Sequence, residues 1–259
     1  MAEQDLELDK LAELARAHAP GVRFITVSGA HLYGFPSADS DVDLRGCYQA
    51  PLADLIGLRK PVETRDRKLD LAGREVELVA HEVGKYCRLL CKHNGYILEQ
   101  IFSPLVVLGG DFLEQLRLLG RRCITRNCHR HYRGFLQTQL TMLAKEEVKK
   151  AKTLLYAYRV VLTGIHLLRT GEVQANLFAL NGEFKLPFIA DLVARKQARE
   201  HGVLSGLDYA WHRAELARWE EQLDAAYADS ELPEEPPYDE VHDFLVALRL
   251  PDGLQWCEA

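Results

Sequence analysis

Apolar side chains recur at near-helical spacing through Leu6, Leu8, Leu11, Leu14 and Ala15, which predicts an opening helix over Leu6 to His18, ended by Pro20-Gly21. Val22 to Val27 (VRFITV) is a short β-branched and aromatic run, the composition of a buried strand. Ser28 to Ser40, rich in Gly, Ser and Pro, reads as a loop or a short turn of helix. Asp41 to Tyr48 alternates as a second strand, and Pro51 to Leu58 suits a short helix. Arg74 to His81 (REVELVAH) alternates polar and apolar residues, the pattern of a third strand with one buried face. The period lengthens over Glu82 to Cys91, where Val83, Tyr86, Cys87 and Leu90 share a helical face. Beyond Gly110 the pattern is almost wholly helical. Long helices are expected over His131 to Ala144, Glu146 to Arg169 and Tyr209 to Ala228. An acidic, proline-rich linker follows over Asp229 to Asp239, and a last helix over Tyr238 to Leu248. No internal repeat interrupts the series. The expectation is an α+β chain: a module with a mixed or antiparallel sheet and helices over residues 1–106, then an all-helical module over 107–259.

Composition narrows this little. With 259 residues, 47% hydrophobic and 27% charged, the chain has ordinary globular composition. Its apolar runs fall far short of the roughly 20 residues that span a bilayer, and Met1 to Lys10 is acidic, so the expectation is a soluble, cytoplasmic protein without membrane attachment. The cysteines Cys47, Cys87, Cys91, Cys123, Cys128 and Cys257 show no paired framework and read as reduced thiols. Cys123, Cys128, His129 and His131 are metal-ligand types, but their spacing matches no common zinc pattern and arginines crowd them. A formal net charge of −6 argues against a chain that tracks long nucleic acid, because phosphate neutralisation needs a basic excess.

The segment that carries chemistry runs from Ser28 to Gly46, SGAHLYGFPSADSDVDLRG, from the end of one strand into the next. Gly29 and Gly34 allow positive φ or close backbone approach. Asp41 and Asp43 stand two apart on a strand, so their carboxylates project from one face. Neighbouring carboxylates repel, and a divalent cation removes that cost. The pair therefore suits Mg²⁺ or Mn²⁺.

This segment resembles the signature of DNA polymerase β-like nucleotidyltransferases, in which a glycine-serine turn precedes an S-D-x-D strand. Its longer form, S-G-A-H-L-Y-G with S-D-V-D-L-R-G, resembles the bacterial RNA-repair-pathway branch. Glu82-Val83-Gly84-Lys85-Tyr86, Asn94 to Glu99 (NGYILE), Ala151 to Arg159 (AKTLLYAYR) and Leu168 to Glu172 (LRTGE) resemble further stretches of that branch. The resemblance covers roughly residues 20 to 175. It implies a polymerase β-like N-terminal module and an enzyme that transfers a nucleoside monophosphate from an NTP, through two metal ions, to an acceptor hydroxyl such as an RNA 3′ end. It makes Asp41 and Asp43 the metal-binding catalytic carboxylates. The third carboxylate is expected on the following antiparallel strand, at Glu77, where Asp is commoner in the family; Glu75 is the alternative. Where relatives read Gly-Ser in the turn, this chain reads Gly29-Ala30. Ser28, Gly29, Ala30, His31, Gly34 and Ser40 are then the expected nucleotide-binding turn, with backbone N–H groups meeting phosphate oxygens.

Cations are also needed. Lys85 and Arg88 follow the third strand, while Lys149, Lys152, Tyr156 and Arg159 lie along a helix, Lys152 and Arg159 on one face of it. Lys85, Lys152, Tyr156 and Arg159 are taken as nucleotide contacts, against the plainer reading of a solvated helix face with a core tyrosine. Arg117 to Arg133, with six arginines, is either an RNA-contacting surface or a basic region offset by the acidic tail. Two other functions stay open: modification of a protein or small-molecule hydroxyl of toxin–antitoxin type, and a nucleotide-binding pseudoenzyme, to which Ala30 points.

Overall fold

The computed structural model describes residues 6–58, 60–198 and 205–250. Helix α1 (Leu8–His18) lays Leu11, Ala12 and Ala15 on the sheet. Gly21 ends the connection at φ +77°, where a Cβ would stand 2.6 Å from the Gln49 carbonyl oxygen. Strand β1 (Val22–Ser28) passes directly into the short α2 (Gly29–Tyr33). Then follow β2 (Val42–Tyr48), α3 (Leu52–Ile56), β3 (Thr64–Leu71), β4 (Arg74–Glu82), α4 (Val83–Leu90), α5 (Gly95–Phe102) and β5 (Val106–Leu108).

The sheet order is β3-β4-β2-β1-β5. β1 is antiparallel to β2 and β5, and β3 to β4, whereas β2 and β4 run parallel. The strand bearing Glu77 is thus the fourth, and the expectation that it lies antiparallel to β2 is corrected. The cause is β3, which adds one reversal of direction. Its sequence, TRDRKLDL, shows no apolar alternation because it is an exposed edge strand. Ala72-Gly73, both at positive φ, close its two-residue hairpin with β4.

The sheet has two unlike faces. Ile25, Val27, Val42, Leu44, Val76, Leu78 and Ala80 pack beneath α1. The opposite face carries Thr26, Ser28, Asp43, Arg45, Glu77, Val79 and His81, and α4 and α5 lie over it. Thr26 donates its hydroxyl to the Gln100 carbonyl at 2.9 Å, pinning α5 to β1.

The remaining helices are α6 (Asp111–Arg122), α7 (His129–Lys145), α8 (Ala151–Thr170), α9 (Leu177–Phe184), α10 (Ile189–Gln197), α11 (Gly206–Asp229) and α12 (Tyr238–Arg249). α8 is buried almost all round, as a helix at the centre of a bundle must be. It starts at Ala151 rather than Glu146, since the Glu146 carboxylate accepts from the Lys150 backbone N–H and the Thr153 hydroxyl. One apolar cluster joins Phe24 and Cys47 of the sheet to residues of α4 through α12. The boundary expected at 106/107 falls inside β5. The stretch Asp229 to Asp239 is more than a solvated linker: Pro233 and Glu234 carbonyls accept from the Arg126 backbone and the Asn127 amide. Cys47, Cys87, Cys91, Cys123 and Cys128 are free thiols, and Cys257 lies outside the described residues.

Candidate functional site

Ser28 ends β1 opposite Asp43 of β2, and Asp43 is level with Glu77 of β4. Gly29 follows at φ +63°, and a Cβ there would stand 1.9 Å from Asp43 Oδ2. Glycine is therefore required so that the Asp43 carboxylate can lie against the turn. Asp41, just before the strand, is exposed.

Arg45, two residues beyond Asp43 and hence on the same face, binds both neighbours. Its Nη2 lies 2.7 Å from Asp43 Oδ1 and 3.2 Å from Glu77 Oε1, and Nη1 donates to the Glu77 carbonyl at 3.0 Å. Glu75 sits farther along β4, exposed, and pairs with Lys68 at 2.9 Å. One guanidinium thus serves two carboxylates, Asp43 and Glu77, with Asp41 adding like charge to Asp43. Burial raises the pKa of Asp43; Arg45 opposes that rise, and Glu77 and Asp41 reinforce it. The site holds more negative charge than Arg45 neutralises, which is the condition for attracting a cation. Among the described residues no three His, Cys, Asp or Glu side chains converge as a metal cluster. Two carboxylates suffice for Mg²⁺ when substrate phosphates complete its shell.

A cleft of 440 Å³ opens beside Asp43, lined by Ala30, Ser37, Asp39, Ser40, Asp41 and Asp43 of the sheet module and by Val148, Lys150, Lys152, Tyr156 and Lys196 of the helices and their connections. Lys196, from α10, donates to the Phe35 carbonyl at 2.8 Å and the Ser37 hydroxyl at 3.0 Å. Burial, then the Lys152 ammonium, lower its pKa. Ser40 Oγ accepts from the Ser37 backbone N–H at 2.9 Å, which folds the 37–40 loop into a wall. Tyr156 sets its ring edge-to-face with Tyr33 and Phe35, both at 5.6 Å.

Of the expected nucleotide contacts, Ala30, Ser40, Lys152 and Tyr156 line this cleft, together with Asp41 and Asp43. Others do not. Arg159 is fully buried, with Nη1 2.6 Å from Glu99 Oε1, so its charge is used inside the protein. Gly34 is packed by Asn176, whose amide nitrogen a Cβ would meet at 2.6 Å. His31 is buried with Nε2 unpartnered; burial, then Arg74, lower its pKa, and it lines a different cavity beside Glu99 and Asn176. Lys85 donates to the Thr64 hydroxyl, Arg88 pairs with Glu63, and Lys149 binds the Ala144 and Glu146 carbonyls. Ser28 and Gly29 line a second cleft, also of 440 Å³, which meets the first at Asp43 and Tyr156.

In the basic segment Arg117 to Arg133, four of the six arginines have partners within the protein. Arg117 binds the Ile101 and Ser103 carbonyls, Arg122 pairs with Glu240, Arg126 donates to the Tyr227 carbonyl, and Arg133 pairs with Glu220 and Asp224. Arg122, Arg126 and Arg133 thereby fasten α11 and α12, and Arg117 the end of α5. Sequence reading missed Arg45, Lys150 and Lys196 as site residues. Arg45 was visible in the D-V-D-L-R string, where its spacing from Asp43 alone signals the shared face. Lys196 carries no local signal, since only the tertiary fold brings α10 to the 37–40 loop.

The profile of the RNA repair pathway DNA polymerase beta family matches residues 4–247. A curated relative, the uncharacterized protein MJ0002 of Methanocaldococcus jannaschii, is 29% identical over 153 residues, 59% of this chain and 63% of the relative. The chain thus spans less than two thirds of that relative's length. Among solved structures, a nucleotidyltransferase-like protein from Exiguobacterium sibiricum aligns with 95% of this chain and 77% of its own, at 12% identity and a TM-score of 0.33.

Proposed function

This chain belongs to the RNA repair pathway DNA polymerase beta family, and from that premise we propose a divalent-metal-dependent nucleotidyltransferase that moves a nucleoside monophosphate from an NTP to an RNA 3′ hydroxyl. The observation that carries the reading is that one cleft is lined by Asp41 and Asp43 together with Lys150, Lys152 and Lys196. Carboxylates and ammoniums around one cleft suit a metal–triphosphate.

Asp41 and Asp43 suit a divalent ion because Asp43 is half-buried and crowded by the like charges of Glu77 and Asp41, which Arg45 only partly offsets. Such an ion supplies charge neutralisation on the phosphates and a lowered pKa for the attacking hydroxyl. Glu77 and Asp43 would be the residues to hold a second such ion, in place of their present pairing with Arg45. Lys152 and Lys196 hold the triphosphate and draw charge from the departing pyrophosphate. Backbone N–H groups at Ala30 replace the hydroxyl that a serine there would offer. The acceptor oxygen forms its bond to the α-phosphorus as the bond to pyrophosphate breaks, and Glu77 is placed to take the hydroxyl proton.

The test is incubation with α-labelled NTP, Mn²⁺ and a single-stranded RNA. Extension of the RNA with pyrophosphate release is expected. Label on protein would favour the protein-modifying reading, and nucleotide binding without transfer the pseudoenzyme. Because most basic-segment arginines bind internal partners, contact with RNA is expected to be confined to its end.

A further inference from the structure

We propose that the second cleft seats the terminal, unpaired nucleoside of the RNA acceptor; this rests on the nucleotidyl-transfer reading for its role, though not for the binding itself. The cleft lies between the β1–β2–β4 face and helices α4 and α5, and shares Asp43 and Tyr156 with the lysine-lined cleft. A hydroxyl held there reaches Asp43 from a cleft that no lysine lines. In-line displacement needs attacking and leaving oxygens on opposite sides of phosphorus.

Its chemistry differs from that of its neighbour. Arg45 is its one cationic lining residue, and that charge is shared by Asp43 and Glu77. The rest of the lining is aromatic (Tyr33, Tyr96, Tyr156), apolar (Val79, Leu89, Ile97) or uncharged and polar. Such walls suit a neutral, planar, hydrogen-bonding group rather than a phosphate. A volume of 440 Å³ lies within the range of about 300–1,000 Å³ common for small-molecule sites.

Two polar groups indicate what the occupant offers. Gln100 is only 8% exposed, and its side-chain carbonyl oxygen is buried without a hydrogen-bond partner. A buried acceptor left unpaired is costly, so a ligand N–H is the expected complement. On β4, His81 Nδ1 lies 2.9 Å from the Thr64 hydroxyl, which itself accepts from Lys85. Burial, then the Lys85 and Arg45 charges, hold the His81 pKa down to about 4, so the ring is neutral at pH 7. When Thr64 turns its proton to Nδ1, the ring carries its own on Nε2 and becomes a donor. An acceptor on α5 and a donor on β4, with tyrosine rings between, match the edge and π-face of a nucleobase. A base within a duplex offers neither, which specifies a single-stranded end.

The test uses the full chain, a short single-stranded RNA ending in 4-thiouridine, its blunt duplex, and a non-reactive ATP analogue with Mn²⁺. Photocrosslinking of the wild-type protein is expected to label residues 79–100, mapped by mass spectrometry. Anisotropy is expected to show the single strand bound at least about tenfold more tightly than the duplex. Gln100→Leu, which removes the acceptor, and Leu89→Trp, which fills the cleft, should each weaken RNA binding about tenfold. ATP-analogue binding and circular-dichroism melting should persist. A crosslink within residues 117–133, equal binding of duplex and single strand, or folded variants that bind RNA like wild type would overturn the assignment. So would a protein that binds the analogue and ignores RNA. Crosslinking to residues 79–100 without any transfer from ATP would leave the cleft assignment standing and sink the transferase reading instead.

Discussion

Two arginine–carboxylate groupings lie close together in this protein and behave oppositely. Arg159 and Glu99 are 0% and 2% exposed, paired at 2.6 Å, with the guanidinium 3.9 Å over the Tyr33 ring and the Tyr33 hydroxyl donating to Glu99 at 3.3 Å. Burial raises the Glu99 pKa and Arg159 opposes it, one charge against one. Arg45, 20% exposed, is shared by two carboxylates, Asp43 and Glu77, at the wall of an open cleft. The first grouping is balanced and sealed, so it holds α5 to α8. The second is unbalanced and open, so it has charge left over for a ligand. Residue type does not separate structure from chemistry here; charge balance and solvent access do.

Removing the excess charge should have the largest effect. Asp43→Ala is expected to reduce nucleotidyl transfer by a factor on the order of a thousand or more while the melting temperature holds or rises, because a crowded carboxylate is lost. Transfer and melting measured on the same preparation check both halves. Breaking the balanced pair should do the reverse. Arg159→Ala leaves Glu99 buried and unpaired, at a cost of about 3–5 kcal/mol in denaturant unfolding, whereas the double change Arg159→Met with Glu99→Leu should recover most of it.

Lys196→Ala is a smaller perturbation of the open site, expected to raise the KM for NTP about tenfold with little change in kcat, in steady-state kinetics. The smallest effect is on pH. His131, packed against Tyr96 and Tyr132 near Arg159, and His81 are both held down to about 4, mainly by burial. Between pH 6.5 and 4 the unfolded chain takes up protons that the folded one refuses, so stability falls as pH falls through that window. His131→Gln should flatten the acid side of a melting-temperature profile.

What the sequence shows of this depends on range. The β-branched and aromatic composition of VRFITV, the alternation in REVELVAH and the length of the helical stretches mark β1, β4, α7, α8 and α11. β3 leaves none, being an exposed edge, and β5 is three residues long. The S-D-V-D string marks both aspartates: Asp43 stands on β2 and Asp41 just before it, and both line one cleft. Arg159 misleads for the opposite reason: helical spacing aligns it with Lys152, but whether that point on α8 meets solvent or core is decided by Tyr33 and Glu99, remote in sequence. Lys196 is invisible until α10 is folded against the 37–40 loop.

A crystal structure with a non-reactive ATP analogue and Mn²⁺ tests most directly the claim that the unbalanced carboxylates bind a metal–triphosphate. The account predicts Mn²⁺ on Asp41 and Asp43, with the triphosphate between the Ala30 turn and Lys152 and Lys196. An analogue seated elsewhere, with Asp41 and Asp43 touching neither ion nor phosphate, would contradict it.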